Sequence, residues 1–137
     1  MSRENVEVVR RVYEAIGRGD TAAVLAAYDP EVEWDFLRSP FRDFVRRDVY
    51  RGHEGIRSFM RERTEDAWAD IEDHLEELVD AGDHVISVVT SRGRGLASGV
   101  DVERAHAGVW TIRSGLVVRV AWMGSRAEAL DAVGPRE

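Results

Sequence analysis

The sequence predicts an α+β fold in which helices cover one face of a curved, mixed to antiparallel sheet. Three patterns carry this expectation. Apolar residues recur at helical spacing in the first 28 positions, the spacing changes to two at Glu31, and four strand-like segments joined by short turns follow from Ile71. With 137 residues, 44% hydrophobic and 33% charged, residues 1–137 form one domain around one core.

The first helix is predicted over residues 2–18, where Val6, Val9, Val12, Tyr13 and Ile16 share a face, Ser2 offers an N-cap and Gly17-Arg18-Gly19 stops the run. Asp20 offers a carboxylate cap to a second helix over 21–28, with Val24, Leu25 and Tyr28 on one side and Asp29-Pro30 ending it. Residues 31–36 alternate, Val32, Trp34 and Phe36 against Glu31, Glu33 and Asp35, as a half-buried strand does. Residues 37–51 read as a long loop or lid with Arg38, Arg42, Arg46, Arg47 and Arg51, in which Phe41, Phe44 and Val45 are spaced as one helical turn. Gly52-His53-Glu54-Gly55 leads into a third helix over 56–70, with Ile56, Phe59, Met60, Arg63 and Ala67 at helical spacing.

Four strands follow, over 71–80, 84–94, 100–113 and 116–123. Ala81-Gly82-Asp83, Gly95-Leu96-Ala97-Ser98-Gly99 and Arg113-Ser114-Gly115 are the connecting turns, which makes neighbouring strands antiparallel. After Gly124, Ser125 caps a short final helix through Ala129 and Leu130, closed by Gly134-Pro135.

Composition removes several function classes. The formal net charge of −7, from 26 acidic and 19 basic residues, repels phosphate backbones and anionic lipid, so no nucleic-acid or membrane partner is expected. No apolar run approaches the roughly 18 residues of a membrane span and the N-terminus lacks a secretion-type apolar segment, so the chain reads as cytoplasmic. There is no Cys, hence no thiolate chemistry, and no Lys, hence no Schiff base. The four His form no i, i+4 pair and no carboxylate cluster has ligand spacing, so no metal is expected; no cofactor is expected either, and no glycine loop opens a helix to cradle a phosphate.

Four segments carry a family resemblance: Asn5-Val6-Glu7-Val8-Val9-Arg10-Arg11-Val12-Tyr13-Glu14-Ala15 with Arg18-Gly19-Asp20, then Asp29-Pro30-Glu31-Val32-Glu33-Trp34, Tyr50-Arg51-Gly52-His53-Glu54-Gly55-Ile56, and the closing run from Val109 to Arg119. Together they resemble the SnoaL-like branch of the nuclear transport factor two-like superfamily. The resemblance implies a cone-shaped roll whose N-terminal helices and concave sheet face enclose a pocket, and a homodimer formed through the outer sheet face. This fold hosts isomerases, dehydratases, cyclases, epoxide hydrolases and non-catalytic binding modules, so it implies no single activity.

Within such a cone, period two turns Val32, Trp34 and Phe36 inward. On the third meander strand the set with the larger apolar groups, Val102, Arg104, His106, Gly108, Trp110 and Ile112, is placed on the concave face, with Trp110 deeper in the core. His106 is the candidate catalytic residue, since a neutral imidazole exchanges protons near pH 7. Trp34, Phe36, Tyr50, Arg104 and Trp110 are the candidate substrate-binding residues, with the Tyr50 phenol available to a ligand oxygen. His53, His74 and His84 read as structural, and Asp35 as a solvated strand carboxylate.

Closer parallels within the superfamily leave the reaction open. Aligned through the Gly-Asp after the first helix, the catalytic Asp of ketosteroid isomerases falls on Trp34, which cannot abstract a proton. Their oxyanion-hole Tyr falls on Val12 and their oxyanion-hole Asp near Gly108. Asp101, Arg104 and Glu103 match the residue types of an epoxide-hydrolase triad but not its spacing. SnoaL-type cyclisation uses a His and an Asp; His106 supplies the first and no Asp stands out at a matching position. Two readings follow. One is a pocket protein taking an apolar ring-bearing molecule, an isomerase, cyclase or dehydratase with His106 as acid or base. The other is a non-catalytic binding or dimeric interaction module using the outer-face residues Val109, Val117, Ala121 and Met123.

Overall fold

A computed structural model describes residues 2–134. The side chain of Ser2 and the residue Pro135, to which the sequence assigned capping and terminating roles, lie outside the described residues. Helices α1 (Ser2–Gly17) and α2 (Thr21–Ala26) are followed by strand β1 (Tyr28–Asp35), a 3-10 turn (Arg42–Phe44), β2 (Val49–Arg51) and α3 (Gly52–Glu62). A π-helical turn (Arg63–Ala67) runs from α3 into β3 (Trp68–Asp80), and β4 (His84–Gly95), β5 (Asp101–Arg113), β6 (Leu116–Met123) and α4 (Arg126–Val133) complete the chain.

The six strands form one sheet in the order β2-β1-β6-β5-β4-β3. The meander from β3 to β6 is antiparallel, as its turns require, with Gly82, Ser114 and Gly115 all at positive φ. β1 lies parallel to β6 and antiparallel to β2, so the sheet is mixed. The α+β architecture expected from the sequence is the one observed.

Helices α1, α2 and α3 bury one face against the concave side of the sheet. Val9, Val12 and Ala15 of α1 lie at three-residue steps and are buried, and they pack with Val24, Leu25, Val32, Ile56, Trp110 and Val120 in the main core. Asp20 caps α2 by accepting from the Ala23 amide at 3.1 Å, and Ser125 caps α4 by accepting from the Glu128 amide at 3.2 Å. Val32, Trp34 and Phe36 point into the core. Glu33 and Asp35, on the other face, meet Arg51 at 2.8 Å and Arg119 at 2.7 Å.

Four local expectations are corrected. Tyr28 does not end α2; it opens β1, fully buried, with its backbone carbonyl facing the His53 Nε2 at 2.9 Å. The loop over 37–51 contains the short strand β2, whose Tyr50 pairs with Trp34 across the ladder. The third helix begins at Gly52 and ends at Glu62, and Trp68 already belongs to β3.

The fourth correction concerns the outer face. Val109, Ala121 and Met123 do lie there, in a second cluster with Ile86 and Ala107, but Ala129, Leu130 and Val133 of α4 pack on them. Val117 faces the opposite way, into the main core. A register shift after Thr111 pairs Ile112 with Val117 instead of Val118, and this bulge inverts the alternation of β6 below Arg119. The outer apolar patch is therefore smaller than the sequence suggested and carries its own helix.

Candidate functional site

Between the concave sheet and the α3 and lid segments lies a cavity of about 210 Å³. Its deep wall is aromatic. Trp34 sits with ring centroids 5.0 Å from Phe59 and 5.3 Å from Trp122, both edge-on, and Phe36 stacks on Phe59 at 5.2 Å. Phe41 and Phe44 of the lid close the near side against Trp68, and Phe41 meets the His106 ring edge-on at 5.2 Å. Gly93 leaves the space that Trp68 and Ile71 occupy, since a Cβ there would stand 2.9 Å from the Ile71 Cδ1 and 3.2 Å from Trp68.

One wall is polar. On β3, Ile71, Asp73 and Leu75 alternate with exposed Glu72, His74 and Glu76, so the strand period turns the Asp73 carboxylate inward. Ser91 lies opposite Asp73 on β4, and His106 follows diagonally on β5. The Ser91 hydroxyl donates to Asp73 Oδ1 at 2.6 Å and lies 2.8 Å from His106 Nε2. Arg63, from the π-helical turn, donates to the other carboxylate oxygen at 2.5 Å. Both members of this ion pair keep only 12% of their side-chain surface exposed.

Burial pushes the His106 imidazole down to about 4; the Asp73 carboxylate opposes that change and the Arg63 cation adds to it. Burial by itself would raise Asp73. The Arg63 charge and the hydrogen bonds from Ser91 and Arg63 outweigh it and hold the carboxyl below its ordinary range. At neutral pH the wall thus carries a neutral imidazole beside an ionised carboxylate. The His106 Nδ1 is buried and has no hydrogen-bond partner within the protein.

The mouth is braced by a second polar group. The Tyr50 hydroxyl donates to Glu62 at 2.7 Å and accepts from the Arg46 amide at 3.1 Å; burial, then the bond to Glu62, raises its pKa. Arg46 reaches from the lid to Asp66 on the π-helical turn at 2.8 Å. Deeper, the Tyr13 and Ser87 hydroxyls lie 2.9 Å apart, and Ser87 also accepts from the Trp110 indole at 2.9 Å.

Of the residues singled out from sequence, His106, Trp34, Phe36 and Tyr50 line the cavity. Two do not. Trp110 is fully buried behind the wall, between Tyr13, Tyr28 and Trp122, and reaches no cavity surface. Arg104 shares the strand face of His106 but lies beyond the edge of the cavity, exposed to solvent. Sequence reasoning missed Asp73, Ser91 and Arg63. The alternation around Asp73 was a readable signal: an acid flanked at two-residue steps by Ile71 and Leu75 sits on the face that packs. Among the described residues no group of His, Asp and Glu is arranged to hold a metal, and no helix is long and apolar enough to cross a membrane.

A cone of helices on a mixed sheet around an aromatic cavity with one polar wall defines a class of small-molecule pocket folds. The chain belongs to the SnoaL-like domain family, whose profile matches residues 9–120. No curated protein matches it in sequence. Solved structures share the fold. An NTF2-like protein of unknown function from Burkholderia pseudomallei is 24% identical, with 96% of this chain and 98% of that one covered and a TM-score of 0.75. TerC, co-crystallised with polyporic acid, is 20% identical, with 96% and 99% covered and a TM-score of 0.76. A candidate polyketide cyclase from Xanthomonas campestris pv. campestris is 22% identical, with 96% and 98% covered and a TM-score of 0.68.

Proposed function

We propose that this protein binds an apolar, ring-bearing small molecule in the cone and acts on it by acid–base chemistry at His106, as an isomerase, cyclase or dehydratase does. The observation that carries this reading is the chain from Arg63 through Asp73 and Ser91 to His106, set beside the aromatic deep wall of the cavity. Aromatic walls favour a hydrophobic ring by desolvation, while a few polar groups fix its orientation. The SnoaL-like family and the neighbours co-crystallised with polyporic acid or considered a polyketide cyclase support the same ligand class.

His106 enters the reaction neutral, and its imidazole is a base about as strong as a carboxylate. Such a base works on protons that are already acidic, such as a C–H between carbonyl groups or an enolic or phenolic O–H. The ionised Asp73 then stabilises the imidazolium that forms, and Arg63 keeps Asp73 ionised until it does.

Native mass spectrometry of freshly purified protein, followed by turnover assays on whatever co-purifies, tests the reading. A retained apolar molecule, converted by the wild type and bound but not converted by His106→Ala, is the expected result. Equal turnover by His106→Ala removes His106 from the chemistry. Binding without turnover in either protein makes the domain a carrier.

A further inference from the structure

We propose that Asp73 and Ser91 are positioning residues that set the tautomer of His106: its proton is held on Nε2, and Nδ1 is kept as the free base. This deepens the proposed role of His106 and rests on it for its chemical purpose, while the structural test needs no ligand.

The protons along this chain of groups can be counted. An ionised carboxylate only accepts, so the single Ser91 proton is committed to Asp73 Oδ1 at 2.6 Å. With that proton spent, Ser91 Oγ has only lone pairs to offer His106. The contact at 2.8 Å is a hydrogen bond only if Nε2 carries the hydrogen and donates. A neutral imidazole has one ring proton, so Nδ1 is left as a lone pair, and Nδ1 is the ring nitrogen without a protein partner. Arg63 completes the arrangement by occupying Oδ2, which leaves Oδ1 as the oxygen that faces Ser91.

The same count predicts that one substitution reverses the order. In Asp73→Asn, Arg63 can only donate and therefore takes the amide oxygen, which turns the amide NH2 toward Ser91. Ser91 then accepts from the amide, and its own proton is released toward His106 Nε2. The imidazole proton moves to Nδ1, and the base is inverted without any change at His106 itself.

Imidazole 15N chemical shifts of selectively labelled protein at neutral pH read the tautomer directly, with backbone amide spectra confirming the fold. The expected result is Nε2–H in the wild type and Nδ1–H in Asp73→Asn. In Ser91→Ala the slowly exchanging Nε2 proton of the wild type is expected to be lost to fast exchange, and Ser91→Thr restores it. A wild type with its proton on Nδ1, or protonated on both nitrogens, overturns the inference. So does an Asp73→Asn protein that folds and keeps Nε2–H. If Asp73→Asn does not fold, an Nε2 proton equally protected in wild type and Ser91→Ala overturns it. A ligand-free domain with no turnover, in contrast, removes the acid–base reading and leaves these signatures standing.

Discussion

Asp73 on β3 and His106 on β5 meet at one atom, the Ser91 hydroxyl oxygen of the strand between them, at 2.6 and 2.8 Å. Three neighbouring strands thus place an acid, a hydroxyl and a base in a row across the sheet, each held by the ladder rather than by a loop. Sites built on strands are held more rigidly than sites on loops, and this row is the least adjustable part of the cavity.

The pH dependence of stability follows from His106. In the unfolded chain it takes up a proton near its ordinary 6.5, in the native state only near 4, so between these values the unfolded state binds more protons. Its contribution is whole above pH 6.5, falls as pH drops toward 4 and is absent below. At 1.36 kcal/mol per unit the loss is ~3 kcal/mol. Urea unfolding from pH 7.5 to 4 is expected to show this decline, and His106→Gln to lack it. In the reaction we propose, which needs the neutral imidazole, turnover is expected to persist to pH 5 and fall through about 4.

Arg63 neutralises a largely buried carboxylate. Arg63→Met leaves Asp73 charged without its partner and is expected to cost about 3 kcal/mol, whereas Arg63→Met with Asp73→Leu is expected to recover most of it. Urea unfolding of the two variants checks the order; a double variant weaker than the single one contradicts it.

Trp34 is both core and cavity wall, 2% exposed and in contact with Tyr28, Phe36, Phe59 and Trp122. Trp34→Ala is expected to destabilise by about 3–5 kcal/mol and to weaken ligand binding. Calorimetry and titration with the co-purified ligand measure the two effects separately.

Gly108 lets three side chains meet. A Cβ there would stand 2.8 Å from the Trp122 ring and 2.9 Å from both Ser87 Oγ and Trp110 Nε1. Gly108→Ala is therefore expected to cost about 1–3 kcal/mol through overpacking and to break the bond between Trp110 and Ser87. Near-ultraviolet circular dichroism of the tryptophans reports the change, and an unaltered spectrum contradicts it.

Local patterns of the chain were legible where one physical signal acted alone. The Val32, Trp34, Phe36 alternation fixed the face of β1, and Asp20 and Ser125 capped the helices they preceded. Legibility failed where a long-range contact decided. Tyr28 has the spacing of a helix face, yet the Val117 position beside it in β6 draws it into a strand. Arg104 shares the strand face of His106, but strand period says nothing of where the cavity ends, and Arg104 lies past it; Trp110 is deep in the core, as expected, and too deep to reach the cavity. Alternation alone puts Val117 on the outer face, and the bulge beside Thr111 that turns it inward is written in the pairing of two strands, not in either one.

The parallel pairing of β1 with β6 has a consequence for the order in which the molecule assembles. Trp34 lies beside Val120 in that ladder, so the strand carrying one half of the aromatic wall finds its partner only after α3 and the meander between them have been made. Until then β1 with β2 and the meander through β5 are separate pieces, each with an unpaired strand edge. Closing so long a loop is slow, and β6 is the keystone that joins the pieces and creates the cavity in one step. On the ribosome the cavity therefore exists only once β6 is in place, so the ligand we propose can stabilise the closed cone but has no site on the pieces with exposed edges.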